Sequence, residues 1–292
     1  MNVEFYRHSL ADEDIQRLVD VCRGLFLTTG REVAEFETAF ANYMGASFCV
    51  GVTSCTAGLH IALLALGVGA GDEVITTPMT FAATSNAILH AGATPVFVDV
   101  DPSTALMDIN LVERAITPKT RAVIVVHLYG QMVDMRRMRD LADRHGVCLI
   151  EDCAHSIESA RDGVRPGQLS EASCFSYYAT KNITCGEGGA VITNSAELNT
   201  RLRLLRQHGL TSNAADRYAG AYQHWDIELL GWKYNMNNLQ AAMLIGQIGR
   251  IDSMWQARER VARRYEDALS DVRGISFPAV PSGAKSARHL FT

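Results

Sequence analysis

The segment SCTAG at positions 54–58 could bind a phosphate group. It joins a short apolar run to a helix-like stretch, and Thr56 adds a hydroxyl. The first N–H groups of a helix have no partner inside it and carry partial positive charge, which favours phosphate. The alternative is an ordinary N-cap, since the Gly-Lys-Ser/Thr sequence of a P-loop does not follow.

Two acidic residues end the apolar run VCLIED at positions 147–152, and His155 follows them. Ligands of parallel α/β sheets bind beyond the carboxyl ends of the strands, so an acid there either serves a site or caps a helix. Side chains alternate across a strand, so only one of Glu151 and Asp152 can face such a site.

Lys181 ends a further segment, FSYYATK, and precedes the glycines of CGEGGA at positions 185–190. Most lysines are solvated loop residues. A catalytic lysine must hold its amine neutral. Its pKa must then move from ~10.4 towards ~7–8, roughly 4 kcal/mol, through burial or a neighbouring cation.

Together these three features fit one ligand, pyridoxal 5′-phosphate. A helix N-terminus would hold its phosphate, a carboxylate would pair with its ring nitrogen, and a lysine would bind its aldehyde. Phe81, which follows the run VITTP, could stack on the ring. Its alternative role is simple core packing.

The chain resembles the sugar aminotransferases of the DegT/DnrJ/EryC1/StrS family, which share the type I fold of aspartate aminotransferase. The matching segments run in order from Thr28 to the end of the chain. They are TTGREVAEFE, SCTAGLHIALLALGVGAGDEVITTPMTF, GATPVFVDVD, LIEDCAHS, FSYYATKNITCGEGG and GWKYNMNNLQAA. KNITCGEGG and the KYN segment look most similar to members that act at C4 of UDP-linked sugars.

This resemblance implies a role for each candidate residue. Lys181 would form the Schiff base, Asp152 would pair with the pyridine nitrogen, and His155 would lie beside the ring. Phe81 would stack on the ring. The other cofactor-binding residues would be Thr56, Ala57 and Ser176 at the phosphate, with Asn235 reaching in from the neighbouring subunit of a homodimer.

The resemblance also implies a reaction and its partners. An amino acid, with glutamate the expected donor, would aminate a UDP- or dTDP-linked 4-keto sugar, in the biosynthesis of cell-surface polysaccharides or antibiotic sugars. No arginine near the core motifs is evidently placed to clamp a keto acid. Segment 208–237 could instead contact the sugar nucleotide through Arg217, Tyr218, Tyr222, Trp225, Trp232 and Lys233. The alternative is that these aromatic side chains only pack the dimer interface.

Two departures from the family pattern stand out. Cys55 occupies the position of the usual glycine in Ser-Gly-Thr, so the phosphate turn must accommodate a Cβ atom. Family members also continue well beyond the final HLFT. We therefore expect the chain to stop inside a small C-terminal domain, which puts the activity of the 292-residue chain in question.

Three other functions compete with this interpretation. Tyr177-x-x-x-Lys181 matches the Tyr–Lys pair of short-chain dehydrogenases, but that pair needs one long helix and an early glycine-rich turn. Related sugar dehydratases have histidine in place of the lysine. An inactive scaffold of the same fold is the third alternative, and the intact set of Lys181, Asp152 and Ser176 argues against it.

Short apolar runs alternating with helical segments predict an α/β fold with a mainly parallel mixed sheet flanked by helices. A long helix is predicted over 239–269 with a break near Asp252, and HLFT is predicted to begin a strand. We divide the chain into a large cofactor-binding domain with N-terminal helices, 1–245, and the start of a truncated small domain, 246–292. The predicted strands cover 48–52, 73–77, 95–100, 122–127, 147–151, 172–177 and 189–193.

Composition narrows the class of protein further. Hydrophobic residues make up 48% and charged residues 20%, which is typical of a globular chain. A net charge of −5 gives no basic surplus for nucleic acid, and the longest apolar stretch, 59–66, is too short to span a membrane. Seven cysteines without a C-x-x-C pair favour reduced thiols over disulfides or a metal site. We expect a cytoplasmic protein.

Overall fold

The computed structural model describes residue 4, residues 6–211 and residues 226–292. In these ranges the strands are β1 Phe48–Val52, β2 Glu73–Thr76, β3 Thr94–Phe97, β4 Thr120–Val126, β5 Cys148–Asp152, β6 Ala160–Arg161, β7 Ala172–Ser176, β8 Gly189–Thr193 and β9 Ala284–Lys285. The helices are α1 Asp12–Arg23, α2 Arg31–Met44, α3 Cys55–Ala65, α4 Ala83–His90, α5 Ile109–Ala115, α6 Met135–His145, α7 Ala196–Leu205, α8 Asn238–Ile248 and α9 Ile251–Leu269.

Seven strands form one sheet in the order β1-β8-β7-β5-β4-β2-β3. The five strands from β7 to β3 are parallel, and β8 is antiparallel to both of its neighbours. The predicted mainly parallel mixed sheet is confirmed. Parallel strands end at one edge of a sheet, so the residues that follow β2, β4, β5 and β7 converge there.

Helices cover both faces of this sheet, because successive side chains of a buried strand point to opposite sides. On one face, Ile150 and Cys174 belong to a core with α3, α4 and α7. On the other face, Leu149 packs with α6 and Phe175 packs with α2 and α8. Both faces of β5 are therefore shielded from water, so its polar side chains must form hydrogen bonds within the protein.

Polar side chains fix where several helices begin. The side chains of Ser54, Asp134 and Asn237 each accept a hydrogen bond from the main chain three residues later. Such caps satisfy N–H groups that the helix leaves free. The Ser54 cap starts α3 directly after β1, so the N-terminus of α3 lies at the edge where the parallel strands end.

The C-terminal region differs in part from expectation. The predicted long helix is interrupted at 249–250, which confirms the break and divides it into α8 and α9. The expected strand at HLFT is wrong: residues 289–292 form no strand, since they pair with no strand in the described chain, and Phe291 instead packs against Tyr265. The strand of this region is β9, which pairs with β6. No described helix has the length and apolar character needed to cross a membrane.

Candidate active site

A cavity of about 500 Å³ opens where β2, β4, β5 and β7 end and α3 begins. This volume is in the range of pockets that hold a cofactor or a small substrate. Side chains from separate segments of the chain meet there because the carboxyl ends of the parallel strands all lie at one edge of the sheet. The predicted site residues that line the cavity are Thr56, Phe81, Asp152, His155, Ser176 and Lys181.

The N-terminus of α3 forms one wall of the cavity. The Ser54 hydroxyl already accepts the N–H of Ala57 at 3.1 Å, and Ala57 itself does not line the cavity. The N–H groups of Cys55 and Thr56 lie at the first two helical positions, where no partner exists within the helix. A Cβ atom on Gly189 would come within 2.6 Å of the Cys55 nitrogen, so only glycine lets β8 approach this turn.

Asp152 ends β5 and is nearly buried at the floor of the cavity. Its Oδ2 accepts the Thr84 hydroxyl at 2.8 Å, and its Oδ1 accepts the Ala154 N–H at 3.1 Å. The Cys55 thiol lies 3.8 Å from Oδ1 and 3.4 Å from the Cys174 carbonyl. Burial, and then the Asp152 charge, raise the pKa of the Cys55 thiol well above its ordinary value, so this thiol keeps its proton.

Glu151 points to the other face of the strand, as the alternation predicts. Its Oε1 accepts hydrogen bonds from the Gly167 N–H and from the Ser170 and Ser173 hydroxyls. Its Oε2 pairs with His127 Nε2 at 2.6 Å, and His127 Nδ1 accepts a main-chain N–H. Burial alone would raise the pKa of Glu151, but the hydrogen bond from His127 and the other donors hold it below the ordinary value. Glu151 does not line the cavity.

Lys181 lies in a turn after β7, with its N–H bonded to the carbonyl of Tyr178 at 2.9 Å. Burial lowers the pKa of Lys181, while the nearby Cys55 and Asp152 act in the opposite direction. Within the described part of the chain, the Lys181 ammonium makes no hydrogen bond or ion pair. A half-buried amine with a lowered pKa and no partner is suited to nucleophilic and proton-transfer chemistry.

His155 is held neutral beside this lysine. Burial and the Lys181 charge lower the pKa of His155 to about 3. Its Nδ1 accepts the N–H of Tyr129 at 3.3 Å, which leaves the ring proton on Nε2. Tyr129 has φ of 58°, a left-handed conformation that costs a non-glycine residue about 1–3 kcal/mol. This contact was not predictable from the sequence, because the strained residue is 26 positions away from the histidine.

A polar chain connects the C-terminal region to the same cavity. Arg258 on α9 pairs with the buried Glu158, whose Oε2 accepts the Asn182 side-chain N–H at 2.7 Å. The Asn182 oxygen lies 2.9 Å from His289 Nδ1, and the His289 ring lies 4.3 Å from the His155 ring, between centroids. We refer to these four residues as the 258–289 polar chain. No motif in the sequence predicts these contacts.

Phe81 and Asn235, both predicted to bind the cofactor, lie in different surroundings. Phe81 is 79% exposed and stands at the mouth of the cavity, so core packing does not explain it. Asn235 does not line the cavity; its Nδ2 donates to the Thr29 hydroxyl at 2.7 Å, and its buried Oδ1 has no partner in the described chain. Of the candidates in segment 208–237, Trp232 and Lys233 are described, and Arg217, Tyr218, Tyr222 and Trp225 lie outside the described residues.

The sequence profile of the DegT/DnrJ/EryC1/StrS aminotransferase family matches residues 8–292. The chain belongs to this family. It is 41% identical over 284 residues to the spore coat polysaccharide biosynthesis protein SpsC of Bacillus subtilis, covering 97% of this chain and 73% of that protein. It is 39% identical to the GDP-perosamine synthase of Caulobacter vibrioides, covering 90% of this chain and 68% of that enzyme.

Solved structures agree with this family assignment. Spr1654 from Streptococcus pneumoniae, in its PMP form, superposes with a TM-score of 0.93 at 30% identity. The match covers 99% of this chain and 78% of the other. A PLP form of the same protein superposes with a TM-score of 0.91. The chain is therefore a PLP-dependent sugar aminotransferase, and the predicted cofactor is confirmed.

The cavity of this aminotransferase fits its cofactor. The turn at Cys55 and Thr56 offers free N–H groups that a Cβ at position 189 would obstruct, and such groups would hold the phosphate. Asp152 would hold a proton on the ring nitrogen, and the unpaired Lys181 amine would carry the aldehyde carbon. When bound, the cofactor withdraws electrons from the carbon that bears the transferred amino group.

The dehydrogenase alternative fails in this aminotransferase. Tyr177 is completely buried against Phe36 and Phe40, on the side of the sheet opposite to Cys174 and α3. Burial raises the pKa of Tyr177 well above its ordinary value. A strand end and a turn, not a helix, connect it to Lys181. The two side chains therefore cannot act as a proton-transfer pair.

Proposed function

We propose that this aminotransferase moves an amino group from an amino acid, with glutamate the expected donor, to a 4-keto sugar carried on a nucleotide. One observation carries this proposal: no arginine of the described chain lines the cavity. An enzyme whose amino acceptor is a dicarboxylic keto acid needs a guanidinium in the cavity to clamp both carboxylates, and glutamate as donor would require a cation from outside this lining. A neutral sugar ring has no such requirement, and a cavity that exposes Phe81 and Tyr178 suits it.

The named relatives support a role in sugar or polysaccharide biosynthesis. One is a spore coat polysaccharide biosynthesis protein and another is a GDP-perosamine synthase. The second relative extends the choice of nucleotide beyond the UDP and dTDP that the sequence motifs favour. The nucleobase is thus the property that a substrate screen must determine.

We assign the chemical steps on this chain to three residues. In its neutral form, Lys181 Nζ would accept a proton from the carbon that carries the amino group and return it to the carbon on the other side of the transferred nitrogen. The Asp152 carboxylate would lie beside the ring nitrogen and favour its protonated form. His155 is neutral and carries its proton on Nε2. It would donate a hydrogen bond to the cofactor without adding positive charge next to Lys181. Thr56, Ser176 and Asn235 remain assigned to the phosphate, whereas the predicted contact of Ala57 is not supported, because its N–H is bonded to the Ser54 hydroxyl and the residue does not line the cavity.

A half-reaction tests the substrate assignment. The pyridoxamine form of the protein is mixed with UDP-, dTDP- and GDP-linked 4-keto sugars, and the return of the pyridoxal absorbance is followed by stopped flow. We expect at least one nucleotide sugar to react much faster than oxaloacetate or pyruvate. Equal or faster reaction with the keto acids would overturn the sugar assignment and leave the cofactor assignment intact.

We also propose that the active unit is a homodimer with shared sites. Phe81, Leu230 and Leu25 are large apolar side chains with exposed fractions of 79%, 82% and 94%, as expected of residues that a second subunit covers. Asn235 holds an unpaired Oδ1 next to Thr29 instead of facing the cavity of its own chain. Its predicted contact with a phosphate therefore needs a second copy.

Mixing two inactive variants tests the shared site. Lys181→Ala and Asn235→Ala subunits, exchanged at equal amounts, form hybrids in which one of two sites has both residues intact. Since half of the dimers are then hybrids, we expect up to about one quarter of wild-type activity. No recovery after verified subunit exchange would place Asn235 in the site of its own chain or outside the site.

We place the reaction in the cytoplasm. All seven cysteines are free, and five of them are buried. Thiols in this state persist in reducing compartments. Expression in the native host followed by fractionation would test this location, and recovery in a secreted fraction would contradict it.

A further inference from the structure

Asp152 is fixed by donors from three different parts of the chain. The Ala154 N–H binds Oδ1 from the following turn, and the Cys55 thiol approaches the same oxygen from α3. Oδ2 accepts the hydroxyl of Thr84, which is the second residue of α4 and is fully buried. An S–H group is a weak donor, so the Thr84 hydroxyl is the strongest side-chain donor to this carboxylate.

The direction of the hydrogen bonds follows from the chemistry of the groups. A carboxylate only accepts, so the single Thr84 hydroxyl proton points to Asp152. The Thr80 hydroxyl lies 2.9 Å from the Thr84 oxygen and must therefore be the donor in that contact. Two hydroxyls thus form an oriented chain from Thr80, at the cavity wall, through Thr84 to Asp152. Such chains polarise each bond and strengthen the last one.

Helix α4 does not require a threonine at this position. Threonine is a poor helix former, and helical threonine hydroxyls usually bond a carbonyl of the preceding turn. Here the hydroxyl instead reaches a residue 68 positions away on β5. Thr80 immediately precedes Phe81, so the same contact ties the predicted ring-stacking residue to the predicted ring-nitrogen partner.

We propose that Thr84 is a positioning residue for the cofactor ring: its hydroxyl holds the Asp152 carboxylate in place, and the Thr80 hydroxyl in turn orients that of Thr84. This inference rests on the proposed role of Asp152 as the partner of the ring nitrogen. It predicts that loss of one buried hydroxyl weakens cofactor binding and lowers the proton affinity of the ring nitrogen, although Thr84 itself does not line the cavity.

The test compares Thr84→Val, which keeps the shape, with Thr84→Ser, which keeps the hydroxyl. The cofactor dissociation constant is measured by titration of the apoprotein, and the ¹⁵N chemical shift of ring-labelled cofactor reports protonation of its nitrogen. A lost hydrogen bond to a charged group predicts a rise in Kd of about tenfold to a hundredfold for Thr84→Val, a shift towards the unprotonated nitrogen, and a lower kcat. Thr84→Ser should restore all three, and Thr80→Val should show a smaller change in the same direction.

Asp152→Asn separates failure of this inference from failure of the proposed role of Asp152. If Asp152→Asn keeps a protonated ring nitrogen, Asp152 is not its partner and the premise is wrong. If Asp152→Asn loses protonation while Thr84→Val matches the wild type in Kd and ¹⁵N shift, the positioning role of Thr84 is overturned. Should Thr84→Val not fold, Thr84→Ala takes its place in both measurements and is judged by the same outcomes.

Discussion

Glu151 and Asp152 are adjacent carboxylates on one strand, and their surroundings differ completely. Glu151 accepts four hydrogen bonds and does not line the site cavity. Asp152 accepts fewer strong bonds and lines the cavity next to Lys181. Burial alone therefore does not mark a catalytic acid. What distinguishes the two is unused accepting capacity that faces an open space, which is available to a ligand only at Asp152.

The largest expected effect on turnover comes from removing Lys181, which lines the cavity together with Asp152. Lys181→Ala should still bind the cofactor through the remaining residues but should lose the visible absorbance of the covalently held form. Loss of the group that moves the proton should reduce turnover by at least about 10³-fold. Lys119→Ala, at an exposed position, is the control and should match the wild type. An active Lys181→Ala variant would refute the assignment of the lysine.

Asp152→Asn should lower kcat by about 10²-fold or more, because a neutral amide cannot keep the ring nitrogen protonated. The side chain retains its shape, so the folded structure should survive. Steady-state kinetics combined with thermal melting will separate the two properties. A variant with normal kcat would show that the charge of Asp152 is not used.

Glu151→Gln should have the opposite profile, with kcat within about threefold of wild type and a reduced free energy of unfolding. The glutamine oxygen can keep the Gly167, Ser170 and Ser173 donors, but its amide then faces the His127 Nε2 proton, donor against donor. One unsatisfied buried donor predicts a loss of about 1–3 kcal/mol, measurable by denaturant unfolding. A large fall in kcat with unchanged stability would show that Glu151 serves catalysis and not the stability of the fold.

The smallest effect is a pH dependence of that stability difference. The pKa of Glu151 is lowered in the folded protein, so its charge stabilises the fold above the pKa of the unfolded chain, about 4.3. This contribution is lost as the pH falls through the lower, folded value. The gap in unfolding free energy between wild type and Glu151→Gln should therefore narrow as the pH falls below about 5. If the difference in unfolding free energy between the two proteins instead grew in acid, it would contradict the lowered pKa of Glu151.

Features that depend on neighbouring residues, such as strand alternation and helix starts, were predictable from the sequence. The alternation of β5 correctly predicted that only one of Glu151 and Asp152 faces the site, and the segment at 54–58 correctly predicted a helix N-terminus after β1. The contacts of His155 with Tyr129 and of Asn182 with Glu158 were not predictable, because they join distant residues without a repeating pattern. The error at HLFT has a similar cause: strand-like residues become a strand only where a partner strand is present.

The 258–289 polar chain has a consequence for protein engineering. Two of its members, Glu158 and Asn182, precede the other two, Arg258 and His289, by at least 76 residues. A chimera of two sugar aminotransferases with its crossover between these positions therefore inherits each half from a different parent. A mismatch would leave the buried Glu158 carboxylate without its arginine, beside the turn that carries the lysine. In a chimera, the segments that carry Glu158 and Asn182 and those that carry Arg258 and His289 should therefore come from the same parent.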